Sequence, residues 1–387
     1  MNVMVSCEFR FFQTPDGKVW TSSSFQYDFW SRYLTVFKKV TVLARVKTVP
    51  VAMPDWQLSS GENISFFNLP YYVGLFGLAK SSLKLFNRLY QASKFSGLFI
   101  CRVPSQNATI LTQILRLKNK PYALEVVGDP YDVFSSGVGG KLANFLRNRS
   151  TKALKKQCKH AVGVSYVTKY YLQKRYPAGE NVHQSHYSSI MLNDSQIVTK
   201  ARVYLSPARK LLFVGSLNQL YKAPDILLSA FAKLIAIDNK FQLTLLGSGT
   251  YLSSLKQQAR DLNISPNVTF IGEVSGNEVI NYLKEADLFV LPSRTEGLPR
   301  AMIEAMAQAL PCIGSSAGGI PELLSSEFCP LPNKTTKLYE VLKELCDNVD
   351  NLSIQSSINL NKSKQYHCKL LTEKRSEYYK KLTELSL

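Results

Sequence analysis

The sequence predicts an α/β fold in which parallel β-sheets are covered by helices on both faces. Short apolar runs of strand length alternate with helix-like segments of about 10 to 16 residues, and this alternation is typical of parallel sheets. In the second half of the chain the runs are KLLFVGS, FQLTLLGSG, VTFIGEV, DLFVLPS and PCIGSS. The chain has 387 residues, which is too long for one ordinary core, so we expect two domains of this kind.

The N-terminal half carries a less regular version of the same pattern. Its candidate strands are MNVMVSCEF, VTVLARV, GLFICRVP, YALEVVGD and AVGVSYV. A polar stretch between Tyr187 and Ala208 separates the halves, so we predict one α/β domain over residues 1–195 and a second over residues 205–369. Residues 370–387 are rich in Lys, Glu and Tyr and predict a final helix. The first ten residues resemble an opening strand rather than a signal peptide.

Local signals support individual helices. Ser275 followed by Glu278 fits a capping box at a helix start. Between Pro224 and Ile237, apolar residues recur at helical spacing and predict one buried face. The apolar segment at residues 66–79 has about 14 residues, against the roughly 20 that a membrane-spanning helix needs. We interpret it as the start of a core helix or as a shallow apolar wedge at a lipid interface.

The most informative segment is EGLPRAMIEAMAQALP, residues 296–311. Glu296 sits in a Gly-Leu-Pro loop after a strand-like run, and Glu304 lies within the helix that this loop opens. Pro299 suits the first helical turn because its missing N–H would be unpaired there. Free backbone N–H groups and the helix dipole make such a turn an anion site, at the place where doubly wound sheets bind ligands. A phosphate there, with a carboxylate on either side to accept sugar hydroxyls, describes a nucleotide-sugar pocket.

The segment EGLPRAMIE resembles the E-x7-E signature of the family 4 retaining glycosyltransferases. Five further segments follow that family's order: FVGSLNQLYKAPDILLSAF, LTLLGSGTYLSSLKQQARDL, NVTFIGEV, EADLFVLPS and SSAGGIPELL. The resemblance is strong over about residues 210–325, and the N-terminal YALEVVGDPYDVF and VSYVTKYYLQKRYP resemble members found in bacterial surface-polysaccharide synthesis. It implies the GT-B fold, in which two Rossmann-like domains with parallel sheets face each other across a cleft. It also implies that the helix at residues 370–387 crosses back to the first domain.

The same resemblance implies roles for the residues of the motif. Glu296 should hold hydroxyls of the transferred sugar, and Glu304 should accept the ribose hydroxyls of the nucleotide. The amides of Gly297 and Leu298 should lie near sugar and phosphate. The alternative for Glu304 is an ordinary exposed helix carboxylate, because two glutamates at this spacing often occur by chance.

A phosphate-binding turn is implied after the strand KLLFVGS. Lys222 matches the family's phosphate lysine, where it would stabilise the charge that builds on the leaving diphosphate. The turn at Gly215 and Ser216 lets the backbone approach the diphosphate closely. The family commonly has an arginine where this chain has Ser216, and losing such a charge-assisted contact costs about 1.5–3 kcal/mol unless it is replaced. Arg294 and Arg300 flank the carboxylate motif and are either replacements or surface residues.

In the first domain the resemblance implies an acceptor site and two further donor contacts. Gly17 follows the first strand, where the family places a Gly-rich turn against the donor phosphate. Many members have a histidine near the cleft, and the matching run LEVVGDPYD has Asp129 instead. Asp129 is either a polar contact that can take a proton or the start of an Asp-Pro turn. Arg102 would point toward the same crevice if GLFICRVP is a strand.

Charge is concentrated in the first half. Residues 1–200 hold 26 Lys+Arg and 10 Asp+Glu, a net of +16, out of +19 for the whole chain. The densest stretch is KLANFLRNRSTKALKKQCKH, which has apolar residues interleaved. Such a basic helix suits an anionic membrane surface or is simply a solvated helix packed on its domain. A nucleic-acid partner is disfavoured because no recognised nucleic-acid module is present.

The resemblance implies a retaining glycosyltransferase that uses a UDP- or GDP-sugar and transfers the sugar on the front face of the donor. It also implies a glycan or lipid-linked acceptor in bacterial surface-polysaccharide synthesis, and we expect neither a metal nor a cofactor. The alternative is a non-catalytic GT-B subunit that binds nucleotide sugar. No Asp-x-Asp metal motif occurs, and the seven scattered cysteines suggest a reduced, cytoplasmic protein, with the inner face of the plasma membrane as a further expected location.

Overall fold

The structure is a computed structural model that describes residues 1–135 and 140–385. It consists of two halves, each with a sheet packed between helices. The strands of the first half are β1 (Val3–Gln13), β2 (Val19–Thr21), β3 (Val40–Thr48), β4 (Gln57–Leu58), β5 (Ile64–Leu69), β6 (Leu98–Val103), β7 (Tyr122–Val126), β8 (Gly163–Tyr166) and β9 (His183–His186). Those of the second half are β10 (Lys210–Val214), β11 (Gln242–Leu246), β12 (Val268–Gly272), β13 (Leu288–Val290) and β14 (Cys312–Ile313).

Helices connect these strands and cover both sheets. The helices of the first half are α1 (Tyr27–Ser31), α2 (Gly74–Ala92), α3 (Gln106–Leu117), α4 (Pro130–Ser135), α5 (Ala143–His160) and α6 (Tyr171–Arg175). Those of the second half are α7 (Pro224–Ile235), α8 (Leu252–Asp261), α9 (Gly276–Glu285), α10 (Arg300–Ala307), α11 (Thr335–Asp347), α12 (Val349–Ser363) and α13 (Cys368–Leu385). Among the described residues, no helix has the length and apolar character needed to cross a bilayer.

Both sheets reverse their strand order near the middle. In the first sheet the parallel strands lie in the order β5-β3-β1-β6-β7-β8-β9, and the short β2 and β4 extend β1 in antiparallel pairing. In the second sheet the order is β12-β11-β10-β13-β14, and each of its paired strands is parallel. The reversal between β10 and β13 leaves a crevice at the carboxyl ends of the strands, where doubly wound sheets bind ligands.

The ten strands predicted from the apolar runs all form. Their side chains are mostly buried, as parallel strands covered on both faces require. The capping box at Ser275 and Glu278 is confirmed, because each side chain bonds the backbone N–H of the other. The apolar stripe of α7 is confirmed as well, with Leu227 and Phe231 fully buried.

Two local predictions need correction. The apolar segment at residues 66–79 is not one helix start, because it contains the end of β5, a turn and the first residues of α2. Helix α10 begins at Arg300, so Pro299 is the residue that precedes the helix rather than a residue of its first turn. The periodicity also missed four strands: β2 and β4, which have three and two residues, the polar edge strand β9, and β5, part of which was assigned to the segment at residues 66–79.

Helix α13 belongs to the end of the chain but packs on the first sheet. The Tyr378 hydroxyl donates to the carbonyl of Leu124 at 3.0 Å, and the Tyr379 hydroxyl donates to the Glu125 carboxylate at 2.6 Å. Gly163 in β8 leaves room for this helix, since a Cβ there would lie 2.4 Å from a methyl group of Leu382.

A second connection between the halves comes from Glu322. Its carboxylate accepts hydrogen bonds from the backbone N–H groups of Lys169, Tyr170 and Tyr171 at 2.6, 3.0 and 2.8 Å. These groups lie at the start of α6 in the first half, whereas Glu322 follows β14 in the second. The two sheets are therefore held together at one side of the crevice by a charged side chain as well as by α13.

Candidate active site

The residues singled out in the second half meet at the crevice between β10 and β13. The turn at Gly215 and Ser216 follows β10, and Lys222 ends the same connection before α7 begins. The loop after β13 carries Glu296 and leads into α10. Because both loops leave the carboxyl ends of neighbouring parallel strands, their side chains converge.

Lys222 and Glu296 form an ion pair at the centre of this site. Glu296 is 8% exposed, and its carboxylate also accepts a 2.8 Å hydrogen bond from the Ser293 hydroxyl. Ser293, itself fully buried, was not predicted as a site residue. The carboxylate proposed for the sugar and the lysine proposed for the phosphate are thus in direct contact.

The loop around Glu296 is packed too closely for side chains at three glycines. Gly318 has φ of +58°, and a Cβ there would lie 2.1 Å from the backbone oxygen of Glu296. The Gly319 amide donates to the Gly297 carbonyl at 2.7 Å. A Cβ on Gly297 would lie 2.6 Å from the backbone oxygen of Val127, which follows β7 in the first half. The loop after β13 therefore packs directly on the first domain.

Glu304 lies in α10 with its carboxylate half-buried. Burial raises the pKa of this carboxyl above its usual range, an effect that Arg300 partly offsets. Within the described residues its carboxylate accepts no hydrogen bond from the protein and lines a small cavity with Gln308 and Val279. Glu304 is therefore not an ordinary exposed helix carboxylate, because it is half-buried. A carboxylate that loses contact with water without gaining a hydrogen bond destabilises the folded state.

A larger cavity of about 260 Å³ lies beside this position, at the ends of β10, β11 and β12. Its lining includes the turn residues Gly215 and Ser216 together with Gly247 and Glu273. Val279 of α9 lines both this cavity and the one that contains Glu304, so the two are neighbours. Gly215 and Gly247 approach closely, because a Cβ on Gly247 would lie 2.0 Å from the Gly215 carbonyl oxygen.

The two arginines that flank the motif are not equivalent. Arg294 donates to both carboxylate oxygens of Asp225, at 2.7 and 2.6 Å, and to the Leu220 carbonyl at 2.6 Å. It fastens the loop after β13 to the start of α7 and so is not a free cation for the diphosphate. Arg300 is exposed at the first residue of α10. Ser216 is also exposed, and its hydroxyl accepts a 3.3 Å hydrogen bond from the Asn218 amide.

The two candidates of the first domain have different surroundings. Asp129 is 1% exposed and bonds the Arg175 guanidinium, the Tyr176 hydroxyl and the backbone N–H of Tyr131. Burial raises the pKa of its carboxyl above the usual range, although its hydrogen-bond partners oppose this. Its bond to Tyr131 is the geometry of an Asp-Pro turn at the start of α4, so this carboxylate has little accepting capacity left.

Gly17 lies in the exposed turn between β1 and β2, with φ of +81°. Its amide donates to the Thr14 carbonyl at 2.9 Å, which closes the hairpin. Within residues 1–135 and 140–385 no hydrogen bond joins Gly17 or Asp129 to Lys222 or Glu296. The structure therefore joins Lys222 and Glu296 directly, and it shows no such direct bond from Gly17 or Asp129 to either of them.

The sequence reasoning missed the residues that support this site rather than those that line it. Ser293 lies three residues before Glu296, and no sequence motif indicated that its hydroxyl would bond this carboxylate. Glu322 lies in the segment SSAGGIPELL, which carries the family resemblance but gave no role to this carboxylate. No metal-binding group of three or more His, Cys, Asp or Glu side chains occurs in the part of the chain that the structure describes.

Comparison with known sequences identifies the second half. The family model described as Glycosyl transferases group 1 matches residues 201–348. Protein CapJ of Staphylococcus aureus is 28% identical over 326 residues, which are 83% of this chain and 81% of CapJ. The O-antigen biosynthesis glycosyltransferase WbnH of Escherichia coli is 35% identical over 147 residues, only 38% of this chain and 40% of WbnH.

Solved structures identify the fold of the whole chain. Sucrose-phosphate synthase from Thermosynechococcus elongatus superposes with a TM-score of 0.71 and 14% identity, covering 99% of both chains. Anabaena HepE in complex with UDP and glucose gives a TM-score of 0.68 and 14% identity, covering 100% of this chain and 99% of HepE. At such low identity the likeness shows the fold alone, and it confirms the predicted GT-B architecture. Residues 201–348 are therefore a domain of the Glycosyl transferases group 1 family, carried in a chain with the GT-B fold.

Proposed function

We propose that this protein is a retaining glycosyltransferase that moves a sugar from a UDP- or GDP-sugar to a glycan or lipid-linked acceptor in bacterial surface-polysaccharide synthesis. The observation that carries the proposal is the pairing of Lys222 with Glu296 at the switch point of the second sheet, together with Glu304, whose carboxylate accepts no hydrogen bond from the described residues. The name of WbnH, an O-antigen biosynthesis glycosyltransferase, agrees with this class of enzyme and pathway.

The proposed donor position follows from the two neighbouring cavities. The nucleotide base occupies the larger cavity at the ends of β10, β11 and β12, where Gly215, Ser216 and Gly247 allow close approach. The ribose hydroxyls then reach Glu304, whose carboxylate gains the donors that the protein does not supply. A hydrogen bond to a charged group contributes about 1.5–3 kcal/mol, so each ribose contact is worth roughly tenfold or more in affinity.

The diphosphate lies between Lys222 and the start of α10. Negative charge builds on this phosphate as the anomeric C–O bond breaks, and a cation already in place stabilises it without reorganisation. Lys222 exchanges part of its interaction with Glu296 for the phosphate, which frees Glu296 to accept sugar hydroxyls. The amides of Gly297 and Leu298 complete the contacts. The leaving phosphate helps to take the acceptor proton on the same face, so the configuration is retained.

Gly17 and Asp129 keep proposed roles in the first domain. The exposed hairpin turn at Gly17 has room to approach the donor phosphate, because nothing lies within 4 Å of a Cβ built there. For Asp129 we propose a role in positioning α4 and α6 at the cleft, since Arg175, Tyr176 and Tyr131 already use its oxygens. Direct proton acceptance would require it to give up one of these partners.

An anionic membrane surface is the proposed location of the acceptor. Helix α2 exposes Phe76 and Leu83, at 86% and 82%, and also exposes Lys80 and Lys84. The chain has no acidic residue between Glu62 and Glu125, where it has eight Lys or Arg. It has none between Asp132 and Glu180, where it has ten. Helices α2, α3 and α5 pack on one face of the first sheet, so the lysines of α2 and α5 lie on the same side of the domain as Phe76 and Leu83.

Liposome flotation tests the membrane proposal directly. Vesicles with anionic lipid should recruit the protein, and replacing Phe76 and Leu83 with serine should abolish recruitment. The matched control is Leu205→Ser, because Leu205 is 92% exposed in the second half. Recruitment should be weaker when Lys152, Lys155, Lys156 and Lys159 are replaced. The recruitment that remains should change less with salt concentration. Equal flotation of all variants would refute the proposed surface.

The test of the activity is a donor screen followed by a transfer assay. UDP- and GDP-sugars are compared for thermal stabilisation, because a bound ligand stabilises the folded state by mass action. The stabilising donor is then assayed for sugar transfer with the wild type and with Glu296→Gln. The proposed enzyme is supported if the wild type transfers sugar and Glu296→Gln does not. If the wild type binds the donor without transferring sugar, the result supports a non-catalytic partner subunit. Binding of neither nucleotide would refute the proposed site.

A further inference from the structure

Three arginine side chains meet in a cluster beneath the cleft, two of them buried and Arg32 half-buried. Arg102 belongs to β6, Arg375 to α13, and Arg32 follows α1. They line one small cavity together with Glu125 and the strand-end residues of β7 and β8. Arg102 and Arg375 are 9% and 2% exposed, so these guanidinium groups are largely removed from water. None of them was assigned a ligand in the proposed reaction.

The cluster has too few acceptors for its charge. Glu125 is the one carboxylate among the described residues that line the cavity. One of its oxygens accepts from Arg102 and from Tyr33 at 2.9 Å. The other accepts from Tyr379 at 2.6 Å and from Tyr187 at 3.3 Å. A carboxylate has about four lone-pair sites, so Glu125 has none left for a second arginine.

Arg32 and Arg375 are therefore short of partners. The Nε of Arg32 is buried without a hydrogen-bond partner, and within the described residues Arg32 forms no ion pair. Its guanidinium stacks on Phe29 at 4.0 Å from the ring centre. Burial and the neighbouring Arg375 lower the pKa of Arg32 to about 10, so it is still charged at neutral pH. The side chain of Arg375 donates to the Ser188 carbonyl at 3.5 Å, a long contact.

The cavity lies next to the loop after β13. Val127 and Val167 line the cavity, and Gly297 of that loop packs against the same two residues. A Cβ on Gly297 would lie 2.6 Å from the Val127 oxygen and 3.3 Å from a Val167 methyl group. The cavity holds about 10 Å³, roughly the space of one water-sized atom, so it admits a single oxygen at the tip of a charged group and not a whole carboxylate, phosphate or sugar. A charged substituent of a substrate bound in the cleft would therefore place one oxygen in it.

We propose that Arg32, together with Arg102 and Arg375, binds an oxyanion carried by the sugar substrate. Guanidinium groups match planar carboxylates and phosphates with paired N–H donors, and a buried cation without an anion is costly. The oxyanion has two possible sources with the same chemistry. One is the carboxylate of a uronic acid in the nucleotide sugar, and the other is a phosphate of a lipid-linked acceptor. This inference rests on the proposed glycosyltransferase function and adds the charge of the substrate to it.

The first experimental arm varies the donor. Pairs of nucleotide sugars that share the base and differ only in a neutral or a carboxylate C6 group are compared for thermal stabilisation and for transfer rate. The wild type should prefer the uronate, and Arg32→Gln should reduce that preference roughly 10- to 100-fold. Arg32→Lys should recover part of it, because the charge remains without the forked donors. The matched control is Arg10→Gln, since Arg10 is exposed in the same half.

The second arm varies the acceptor with a neutral donor. Acceptors with and without a lipid-linked phosphate are compared, and here Arg32→Gln should raise the KM only for the phosphorylated acceptor. An effect in one arm identifies the source of the oxyanion. A separate binding measurement with free glucuronate and inorganic phosphate does not require turnover, so it tests the cluster even if the proposed activity fails.

The results that overturn the inference are equally specific. The cluster would be only structural if Arg32→Gln and Arg375→Gln did not change the preference for the charged donor or acceptor in either arm. The binding of free glucuronate and phosphate would then also be unchanged. Saturation by chloride at the expense of both oxyanions would also contradict it. If Arg32→Gln does not fold, the retained fold of Arg32→Lys provides the same comparison. In the absence of anions, Arg32→Gln should raise the melting temperature, because it removes a buried cation without a partner.

Discussion

Replacing Lys222 separates the contribution of its ion pair to folding from its contribution to catalysis. The side chain of Glu296 is 7% exposed, and that of Lys222 is 27% exposed. Removing one partner of a buried ion pair costs roughly 3–5 kcal/mol, because the other charge is left unpaired. Lys222 retains contact with water and Ser293 still donates to Glu296, so we expect Lys222→Met to lower the free energy of unfolding by about 1–3 kcal/mol.

The double variant tells the two contributions apart. Adding Glu296→Gln to Lys222→Met removes the stranded charge, so the free energy of unfolding should return to within about 1 kcal/mol of the wild type. Sugar transfer should not return, because both groups that act on the donor are gone. Lys222→Met alone should lower kcat by roughly 10²–10³-fold, the range observed when one donor to a developing anion is removed.

The assay combines urea unfolding at neutral pH with transfer rates for the wild type, both single variants and the double variant. Lys233→Met is the matched control, because Lys233 is exposed in the same half and bonds only the Thr336 hydroxyl among the described residues. The reasoning is refuted if Lys222→Met is as stable and as active as this control. It is also refuted if the double variant recovers transfer along with stability.

Three further predictions concern the surroundings of the loop after β13. Burial raises the pKa of Glu304, so between the usual carboxyl pKa and the raised one the folded protein binds more protons than the unfolded chain, and stability falls as pH rises. Glu304→Gln should therefore raise the melting temperature at alkaline pH, lose this gain near the usual carboxyl pKa, and weaken nucleotide binding roughly 10- to 100-fold in calorimetry. Glu322→Ala should open the cleft, which increases the radius of gyration in X-ray scattering and raises the donor KM. Glu327→Ala, an exposed change in the same half, should do neither. Gly318→Ala should abolish donor binding, because its Cβ would lie 2.1 Å from the backbone oxygen of Glu296, whereas Gly77→Ala in α2 meets only ordinary contacts with Tyr72, the nearest at 3.4 Å, and should bind donor normally.

Local features of the sequence predicted much of the second half. Strand β13, the loop with Glu296 and helix α10 follow one another within about twenty residues, so their order and spacing contain the geometry of the site. The capping box at Ser275 is equally local, because its two bonds join residues three apart. Short strands such as β4 and β9 escaped prediction because they are too short or too polar to show a period.

Contacts between distant parts of the chain could not be predicted in this way. Glu322 bonds the start of α6 across more than 150 positions, and nothing in the segment around Glu322 specifies that partner. Tyr379 reaches Glu125 across 254 positions. Arg102 was expected near the crevice, but its pairing with Glu125 and its place beside Arg375 depend on how α13 returns to the first sheet. These interactions arise from tertiary packing, which periodicity does not encode.

The central claim is that a nucleotide sugar binds where the loop after β13 meets α10. A crystal structure of the protein with its donor, or with the nucleoside diphosphate, tests this most directly. The account predicts the diphosphate within hydrogen-bond distance of Lys222 and the start of α10, with the ribose hydroxyls on the Glu304 carboxylate. A nucleotide bound elsewhere, with Lys222 still paired to Glu296 and Glu304 without a ligand, would contradict it.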